Sequence, residues 1–313
     1  MTRDLTALFF DSPGPRTRRR IRIVTAVAVL AGLALAALAI RQFAVNGQLD
    51  ADRWAPYGSG AMWQYLLGGL AGTALAAALA AVSAAAVGLL LAGARLSSRR
   101  VLRVPAKTYV EVFRVVPTLL LVYMTLFMLP RYGLDLPLLW KLVIPMAISR
   151  SAQFAEIFYS GVRSLERGQG EAAAALGLSP SQVLLHVLFP QAIRRVVPSL
   201  VSQLAGIVKD TSLGFVVSYA ELLFSGKVLV AYNHLLIQTY LVVGLIYFVV
   251  NYALSKLARA LEARQRANPR ITVAAPAAPA DPAAEAQAMA DVAEWELAQE
   301  HAPDAEVQRT KRT

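Results

Sequence analysis

Six apolar stretches dominate this sequence, and each is long enough, or nearly so, to cross a lipid bilayer as a helix. They cover residues 21–40, 63–94, 109–130, 138–162, 196–217 and 236–257. About 20 apolar residues span the ~30 Å hydrocarbon core of a bilayer in helical form. Only 16% of the residues are charged, whereas soluble domains carry roughly 25%. The sequence therefore predicts an all-α integral membrane protein with about six transmembrane helices.

The first stretch and the distribution of basic residues predict the orientation. Residues 21–40 follow a basic segment, as in a signal peptide, but the stretch is too long for one and no convincing small-residue cleavage site follows it. We therefore expect a retained helix. Lysine and arginine are enriched in cytoplasmic loops, and most basic residues flank the stretches at 16–22, 95–107, 163–195 and 256–270. The loops on the opposite side contain Arg41, Arg53, Arg131 and Lys227. Both termini are thus predicted to be cytoplasmic.

This arrangement divides the chain into four predicted segments. Residues 1–20 form a cytoplasmic N-terminal segment, residues 21–62 the first helix with an outer loop, and residues 63–258 the transmembrane core. From about Thr272 the chain is rich in alanine, proline and acidic residues, which cannot bury enough apolar surface to fold. Residues 271–313 are therefore predicted to be a disordered cytoplasmic tail.

Composition excludes or disfavours several kinds of site. The chain has no cysteine, so disulfides, thiolate metal sites and cysteine nucleophiles are excluded. Its three histidines, His186, His234 and His301, are far apart in sequence, and we expect no metal site. The net charge of +11 is concentrated at the ends of the apolar stretches and not on an amphipathic face, so we expect no nucleic-acid partner.

The loop at residues 168–190 differs in composition from the stretches that flank it. Glu171 and the alanines after it favour a helix, with the acid in the first turn, where the helix dipole stabilises it. Gly177 falls where that helix would end. Ser179 would cap a second helix, closed by a capping box with Gln182 and interrupted at Pro190. The alanines leave room for another backbone, which favours a docking element for a protein partner over a helix that lies on lipid headgroups.

Specific residues of this loop carry a resemblance to a known family. Glu171-Ala172-Ala173, Gly177 and the closing Phe189-Pro190 resemble the EAA signature of ABC-importer permeases. The longer string from AEIFYSGV to SYAEL, residues 155–222, is similar throughout to polar amino-acid permeases. The chain is thereby identified as a member of that group, over about residues 63–257.

Further strings extend the resemblance, and two residues depart from it. EVFRVVPTLLLVYM, residues 111–124, resembles the entry to the preceding core helix in this group. Two N-terminal strings, LFFDSPGPRTRRR and NGQLDADRWAPY, resemble glutamate-type permeases. Tyr159 stands where relatives usually have arginine, and Gly170 where they usually have a charged residue. Both positions flank the EAA signature and leave it intact.

The resemblance implies the type I ABC importer permease fold, with the loop acting as a coupling helix in a groove of a nucleotide-binding ATPase subunit. The residues it assigns to this contact are Glu171, Ala172, Ala173, Leu176, Gly177, Ser179 and Pro190. It also implies a second permease subunit, identical or homologous, and an extracytoplasmic substrate-binding protein. No G-x-x-x-x-G-K-[ST] motif occurs in the sequence. ATP and Mg²⁺ are therefore expected on the partner ATPase, with no cofactor on this chain, which is not expected to be an enzyme.

Ionisable residues inside the apolar stretches are candidates for the substrate path, because charges are costly in lipid. The candidates are Arg150, Lys209, Asp210, Thr211, Glu111, Arg114 and Glu156. The first four lie deep in their stretches, and the last three lie nearer the cytoplasmic side. Any of the charged candidates could instead form internal ion pairs that fix helix packing, or contact the second permease subunit. That interpretation is favoured for Glu111, Arg114 and Glu156, and both interpretations stay open for the deep group.

Together these observations predict the permease subunit of an ATP-driven importer of polar amino acids in the bacterial inner membrane. Glutamate is the favoured substrate, because the N-terminal strings resemble glutamate-type permeases and because Arg150 and Lys209 place cations at depth. The alternative is an ion-coupled secondary transporter, which should show two repeated halves, and no repeat is visible in the sequence. A membrane-embedded scaffold would need an appended soluble domain, for which the tail is too short and polar.

Overall fold

The computed structural model describes residues 14–267, and every regular element in this range is helical. Eleven α-helices follow one another in this range: α1 (Pro15–Val45), α2 (Ala51–Trp54), α3 (Gly60–Leu96), α4 (Arg100–Val115), α5 (Thr118–Tyr123), α6 (Leu138–Arg163), α7 (Arg167–Ala175), α8 (Pro180–Gln182), α9 (Phe189–Asp210), α10 (Leu222–Asn233) and α11 (Leu236–Ala267). The chain divides into two units, Met1–Leu261 and Glu262–Thr313. Residues 1–13 and the predicted tail, residues 271–313, lie outside the described residues.

The long helix α1 is apolar and makes no buried contact with the rest of the chain. It runs for 31 residues, and Gly47, with a φ of +66°, turns the chain shortly after its end. Its candidate membrane-spanning part is 0% buried. A helix that is apolar on all sides lies in lipid or against other membrane helices. The stretch predicted at residues 21–40 is therefore confirmed as a helix long enough to span a bilayer.

The centre of the fold is the contact between α3 and α6. The buried face of α3 consists mainly of small residues spaced three or four positions apart, among them Ala76, Ala80, Ala84 and Gly88. Small residues let membrane helices approach closely. At Gly88 the approach is close enough that a Cβ there would lie 2.6 Å from the Cβ of Phe154 on α6. These two helices form the frame against which α4, α9 and α10 pack.

The third predicted stretch, residues 109–130, is not one continuous helix. The segment formed by α5 and the turns after it, which end at Tyr132, is bent by 97° from α4. The cause is Pro117, because a proline disfavours helical backbone in the residue before it. Val116 is accordingly extended, with a ψ of 123°.

Within residues 14–267, α1, α3 and α11 are long and apolar enough to cross a membrane, with the bent pair as a fourth candidate if it counts as one span. The other two predicted stretches coincide with α6, of 26 residues, and α9, of 22 residues. Both are long enough to cross a bilayer, but charged residues such as Lys141, Arg150 and Lys209 lower their hydropathy. Charges of this kind in membrane helices face a bundle interior or a polar cavity.

The fifth predicted stretch, residues 196–217, starts as a helix earlier than expected and breaks directly after Asp210. A 3-10 turn, Thr211–Phe215, follows α9. Thr211 Oγ1 donates a hydrogen bond to the carbonyl oxygen of Val208 at 2.7 Å. Hydroxyls that bond back to the preceding turn in this way compete with the helical ladder. The break therefore puts polar groups at the end of α9.

Candidate functional site

The helical hairpin, which we define as residues 168–190, turns at the predicted glycine. Gly177 has a φ of +84°, a conformation that glycine adopts without steric cost. Its N–H bonds the carbonyl oxygen of Ala174 at 2.9 Å, and the N–H of Leu178 bonds that of Ala173 at 3.3 Å. This is the Schellman arrangement that ends many helices. The predicted end of the first helix is confirmed.

The start of that helix was predicted too late. α7 begins at Arg167, with Glu166 as its extended N-cap. Glu171 is therefore the fifth helical residue and not part of the first turn, so the dipole contributes little to its placement. Gly168 and Gly170 lie inside the helix, because a glycine costs only about 1 kcal/mol relative to alanine at such a position and tertiary packing overrides it.

The second half of the hairpin starts at Ser179, as predicted, but it is not interrupted at Pro190. The backbone N–H of Ser179 donates to Gln182 Oε1 at 2.9 Å, as expected for the capping box. Pro190 does not stop the helix. A π segment, Val183–Leu188, leads into α9 without a break. Such a widened turn leaves the ring of a proline and its missing N–H room within a continuous helix.

The hairpin presents most of the predicted coupling residues on its surface. Ala173 is buried against the rest of the hairpin. The other predicted coupling residues are exposed: Glu171, Ala172, Leu176, Gly177, Ser179 and Pro190. Leu176 is 84% exposed, which leaves a large apolar side chain uncovered at the turn. Apart from Leu176, the exposed surface at the turn consists mainly of small side chains.

Arg150 on α6 and Asp210 on α9 form an ion pair inside the bundle. Arg150 Nη2 and Nε lie 2.6 and 2.9 Å from Asp210 Oδ2. Arg150 Nη1 donates to Gln153 Oε1 at 2.8 Å and to Gln203 Oε1 at 3.2 Å. Gly206 leaves the space for this guanidinium, because a Cβ there would approach Nη1 to 3.0 Å. The arginine is thus fully engaged by its own chain.

The two other deep candidates differ from this pair. Lys209 is exposed, and its ammonium makes no hydrogen bond or ion pair within the described range. Thr211 is buried, with its hydroxyl bonded back to Val208. Of the four deep candidates, Arg150 and Asp210 are brought together, and Lys209 is left available to a ligand or a partner.

Glu156 on α6 links three helices near the hairpin end of the bundle. Its Oε2 lies 2.9 Å from Arg95 Nη1 at the end of α3 and 3.3 Å from Arg114 Nη1 on α4. The guanidinium of Arg95 also lies 4.2 Å from the ring centroid of Tyr159, the residue that departs from the family pattern. Glu111 is placed elsewhere, with Lys107 at 3.5 Å on the same helix. Arg114 and Glu156 therefore form internal ion pairs, and Arg95 is a partner that the sequence did not single out.

Sequence reasoning missed a buried carboxylate at Glu221. Its side chain is fully buried and accepts hydrogen bonds from the N–H groups of Leu223 and Phe224, at 2.8 and 2.7 Å. The hydroxyl of Tyr247 on α11 donates to it at 2.7 Å. An acid directly before an apolar run is an N-cap signal, and that signal could have found it at the start of α10. No group of three His, Asp or Glu residues that could hold a metal ion occurs within residues 14–267.

A bundle of apolar helices with charged pairs inside it, and an exposed helical hairpin at one end, defines a helical membrane protein with a polar interior. The family of the chain follows from sequence comparison. Residues 84–267 match the family model described as "binding-protein-dependent transport system inner membrane component". The match covers more than half of the chain, and the chain belongs to this family.

Individual relatives place the chain among amino-acid permeases. It is 35% identical over 226 residues to the glutamate transport system permease protein GluD of Corynebacterium glutamicum, covering 71% of this chain and 83% of that one. It is 40% identical over 159 residues to the probable glutamine ABC transporter permease protein GlnP of Bacillus subtilis, covering 50% and 73%. A crystal structure of an amino acid ABC transporter with histidines has a TM-score of 0.60 and 28% identity, covering 64% of this chain and 94% of the other.

These matches confirm the predicted class. The chain is a multi-pass protein of the inner membrane with the type I permease fold, and the permease subunit of a polar amino-acid ABC importer. It is not itself an enzyme. Permeases of this kind imply an ATPase partner.

Proposed function

We propose that this permease imports glutamate and receives the energy of ATP hydrolysis through the hairpin of residues 168–190. The observation that carries the coupling is the exposure of six of the seven residues that the EAA resemblance assigns to the ATPase contact. They lie together on one hairpin, and Leu176 at its turn adds a large apolar side chain that is 84% exposed. The nucleotide-binding ATPase is the partner that fits, because it must move the permease while lying outside the membrane.

The connection between the hairpin and the bundle interior supports this proposal. The second half of the hairpin runs without a break into α9, which ends at Asp210. A helix of this length spans about 33 Å at 1.5 Å per residue. Asp210 in turn holds Arg150 on α6. A displacement of the hairpin is therefore transmitted along α9 to the charged groups deep in the bundle.

The proposed substrate is supported by relatives and by charge. GluD is a glutamate permease by name, and glutamate needs cations for its carboxylates. Since Arg150 is engaged by Asp210, Lys209 is the proposed cation of the path, with Thr211 beside it. Arg150 and Asp210 hold its helix in place. Glutamine is the competing substrate, because GlnP is named for it.

The proposed assembly has further subunits and a defined orientation. Both termini and the hairpin face the cytoplasm, which fits the basic clusters at Arg99–Arg103 and along α11. ATP and Mg²⁺ bind the ATPase, and this chain binds no cofactor. A second permease subunit, identical or homologous, completes the path, and an extracytoplasmic binding protein delivers the amino acid. The uncovered surface of α1 supports contact with lipid or with the second permease.

The substrate proposal is tested by competition in proteoliposomes that contain the complete transporter. Uptake of labelled glutamate is measured against an excess of unlabelled glutamate, glutamine, arginine or histidine. We expect glutamate to compete best and arginine least, because Lys209 repels a second cation. Strongest competition by glutamine or arginine would contradict glutamate as the substrate. It would leave the coupling proposal intact.

A further inference from the structure

An apolar groove of about 860 Å³ lies between the end of α3 and the second half of the hairpin. One wall includes Leu89, Leu90 and Gly93 of α3, and the opposite wall includes Leu184 and Leu185. Leu90 is 74% exposed and Leu185 is 63% exposed. The groove is thus a sizeable apolar surface, beside the end of α3, that residues 14–267 leave uncovered.

The rim of the groove is polar and positively charged. Ser97, Ser98 and Arg99 line it where the chain passes from α3 to α4. Arg103 lies one turn after Arg99 on the same helix, and both side chains are exposed. Neither guanidinium makes a hydrogen bond or an ion pair within residues 14–267. The rim therefore offers the unpaired guanidinium of Arg99 at the edge of an apolar space, and Arg103 lies one turn away.

The beginning of α4 adds to this charge. The helix starts at Arg100 with no acid in its first turn, and the side chain of its N-cap, Arg99, makes no capping bond. The backbone N–H of Arg99 itself donates to the Ser97 hydroxyl. The helix dipole favours an anion at such an end. The combination of apolar groove, free guanidinium groups and a helix start without a nearby acid matches one molecule that is apolar along most of its length and anionic at one end.

We propose that the groove binds an anionic phospholipid of the leaflet on the side of the hairpin. An acyl chain lies between α3 and Leu185, and the phosphate lies at the rim formed by Ser97, Ser98 and Arg99. Because the hairpin forms one wall, the bound lipid supports the hairpin at its base. The site does not depend on which amino acid is transported.

Lipid binding to the purified transporter tests the proposal without reference to transport. The complex is delipidated in detergent and titrated with phosphatidylglycerol or phosphatidylcholine of identical acyl chains, and bound lipid is counted by intact-complex mass spectrometry. We expect preferential binding of phosphatidylglycerol. The double variant Arg99→Gln/Arg103→Gln should weaken that binding by roughly fivefold for each arginine, because each basic side chain contributes about that factor near an anionic surface.

Two further variants separate the groove from general charge effects. Leu185→Glu places a charge in the exposed wall without disturbing the core, and should abolish binding of both lipids. Lys107→Gln, two turns further along α4 and already beside Glu111, should leave binding unchanged. Equal binding of the two lipids to the wild type, or unchanged binding to either site variant, would overturn the proposal. So would binding that appears only after residues 2–13 are deleted, because that segment would then be the occupant of the groove.

Discussion

Arg150 shows how single residues determine the polar interior of this permease. A buried charge is tolerated when its hydrogen-bonding capacity is used and a counter-charge lies close. Asp210, Gln153 and Gln203 satisfy both conditions. The side chains of Arg150 and Asp210 are only 13% and 24% exposed, so neither is readily released to a passing substrate. The pair therefore acts first as a link between α6 and α9.

Removing one member of this pair should destabilise the transporter. Arg150→Met leaves the Asp210 carboxylate without its counter-charge, at a cost of about 3 kcal/mol. We expect a lower melting temperature of the purified complex and a lower yield in detergent. The matched control is Arg150→Met/Asp210→Leu, which removes both charges and should recover most of the lost stability. A single variant as stable as the wild type would contradict the structural role of the pair.

Gly177 is the second residue on which the account depends. Its φ of +84° is strained for side chains with a branched Cβ, and nothing lies within 4 Å of a Cβ built there. Gly177→Val should therefore act through backbone strain alone, at about 1–2 kcal/mol, and misdirect the second half of the hairpin. We expect normal insertion with loss of substrate-stimulated ATP hydrolysis. Gly177→Asn, which tolerates this backbone, should retain it. Wild-type hydrolysis in the valine variant would refute the role of the turn in docking.

At the scale of elements, the contact of α3 with α6 holds the bundle together. The alanines and glycines along α3 replace large side chains with close backbone contact, which is how membrane helices associate when water supplies no driving force between them. The ion pairs of Glu156 with Arg95 and Arg114 then join α3, α6 and α4 at one end. Packing sets the distance between these helices, and the charges fix their register.

Two substitutions of glycine by alanine on the same helix test the packing of α3. Gly88→Ala would place a Cβ 2.6 Å from Phe154, and overpacking of this kind costs about 1–3 kcal/mol. We expect a lower melting temperature of the purified protein. Gly68→Ala meets nothing within 4 Å and should be neutral or slightly stabilising. Equal melting temperatures of the two variants would show that the helices do not pack this closely.

The elements predicted correctly from the sequence are those that neighbouring residues in the chain determine. The turn at Gly177 and the capping box at Ser179 depend on residues a few positions apart. The two prolines led to opposite errors. Pro117 breaks the span predicted at residues 109–130. Pro190 was expected to interrupt a helix, but a π turn keeps that helix continuous. The pairs Arg95–Glu156 and Arg150–Asp210 join residues 61 and 60 positions apart. No spacing rule predicts such pairs, because tertiary packing alone brings them together.

At the scale of the whole molecule, the fold and the relatives confirm the predicted membrane permease. The proposed coupling links the hairpin to the bundle interior. Glu221 lies between the predicted apolar stretches, so the search for charges inside those stretches missed it. In the structure three hydrogen-bond donors hold its carboxylate in the interior. The hairpin, α9 and the pair with Arg150 form one continuous route from the surface to the bundle interior. We propose that the energy of ATP hydrolysis acts at the hairpin and that the amino acid passes near Lys209.

Glutamate uptake by the reconstituted transporter tests this central claim most directly. Proteoliposomes contain this permease with its second permease subunit, the ATPase and the binding protein, and uptake of labelled glutamate is measured with ATP, without ATP and with a catalytically inactive ATPase. We predict that uptake requires ATP and the active ATPase, and that it persists when ion gradients are collapsed by ionophores. Glutamate uptake driven by an ion gradient with no ATPase present would contradict the account.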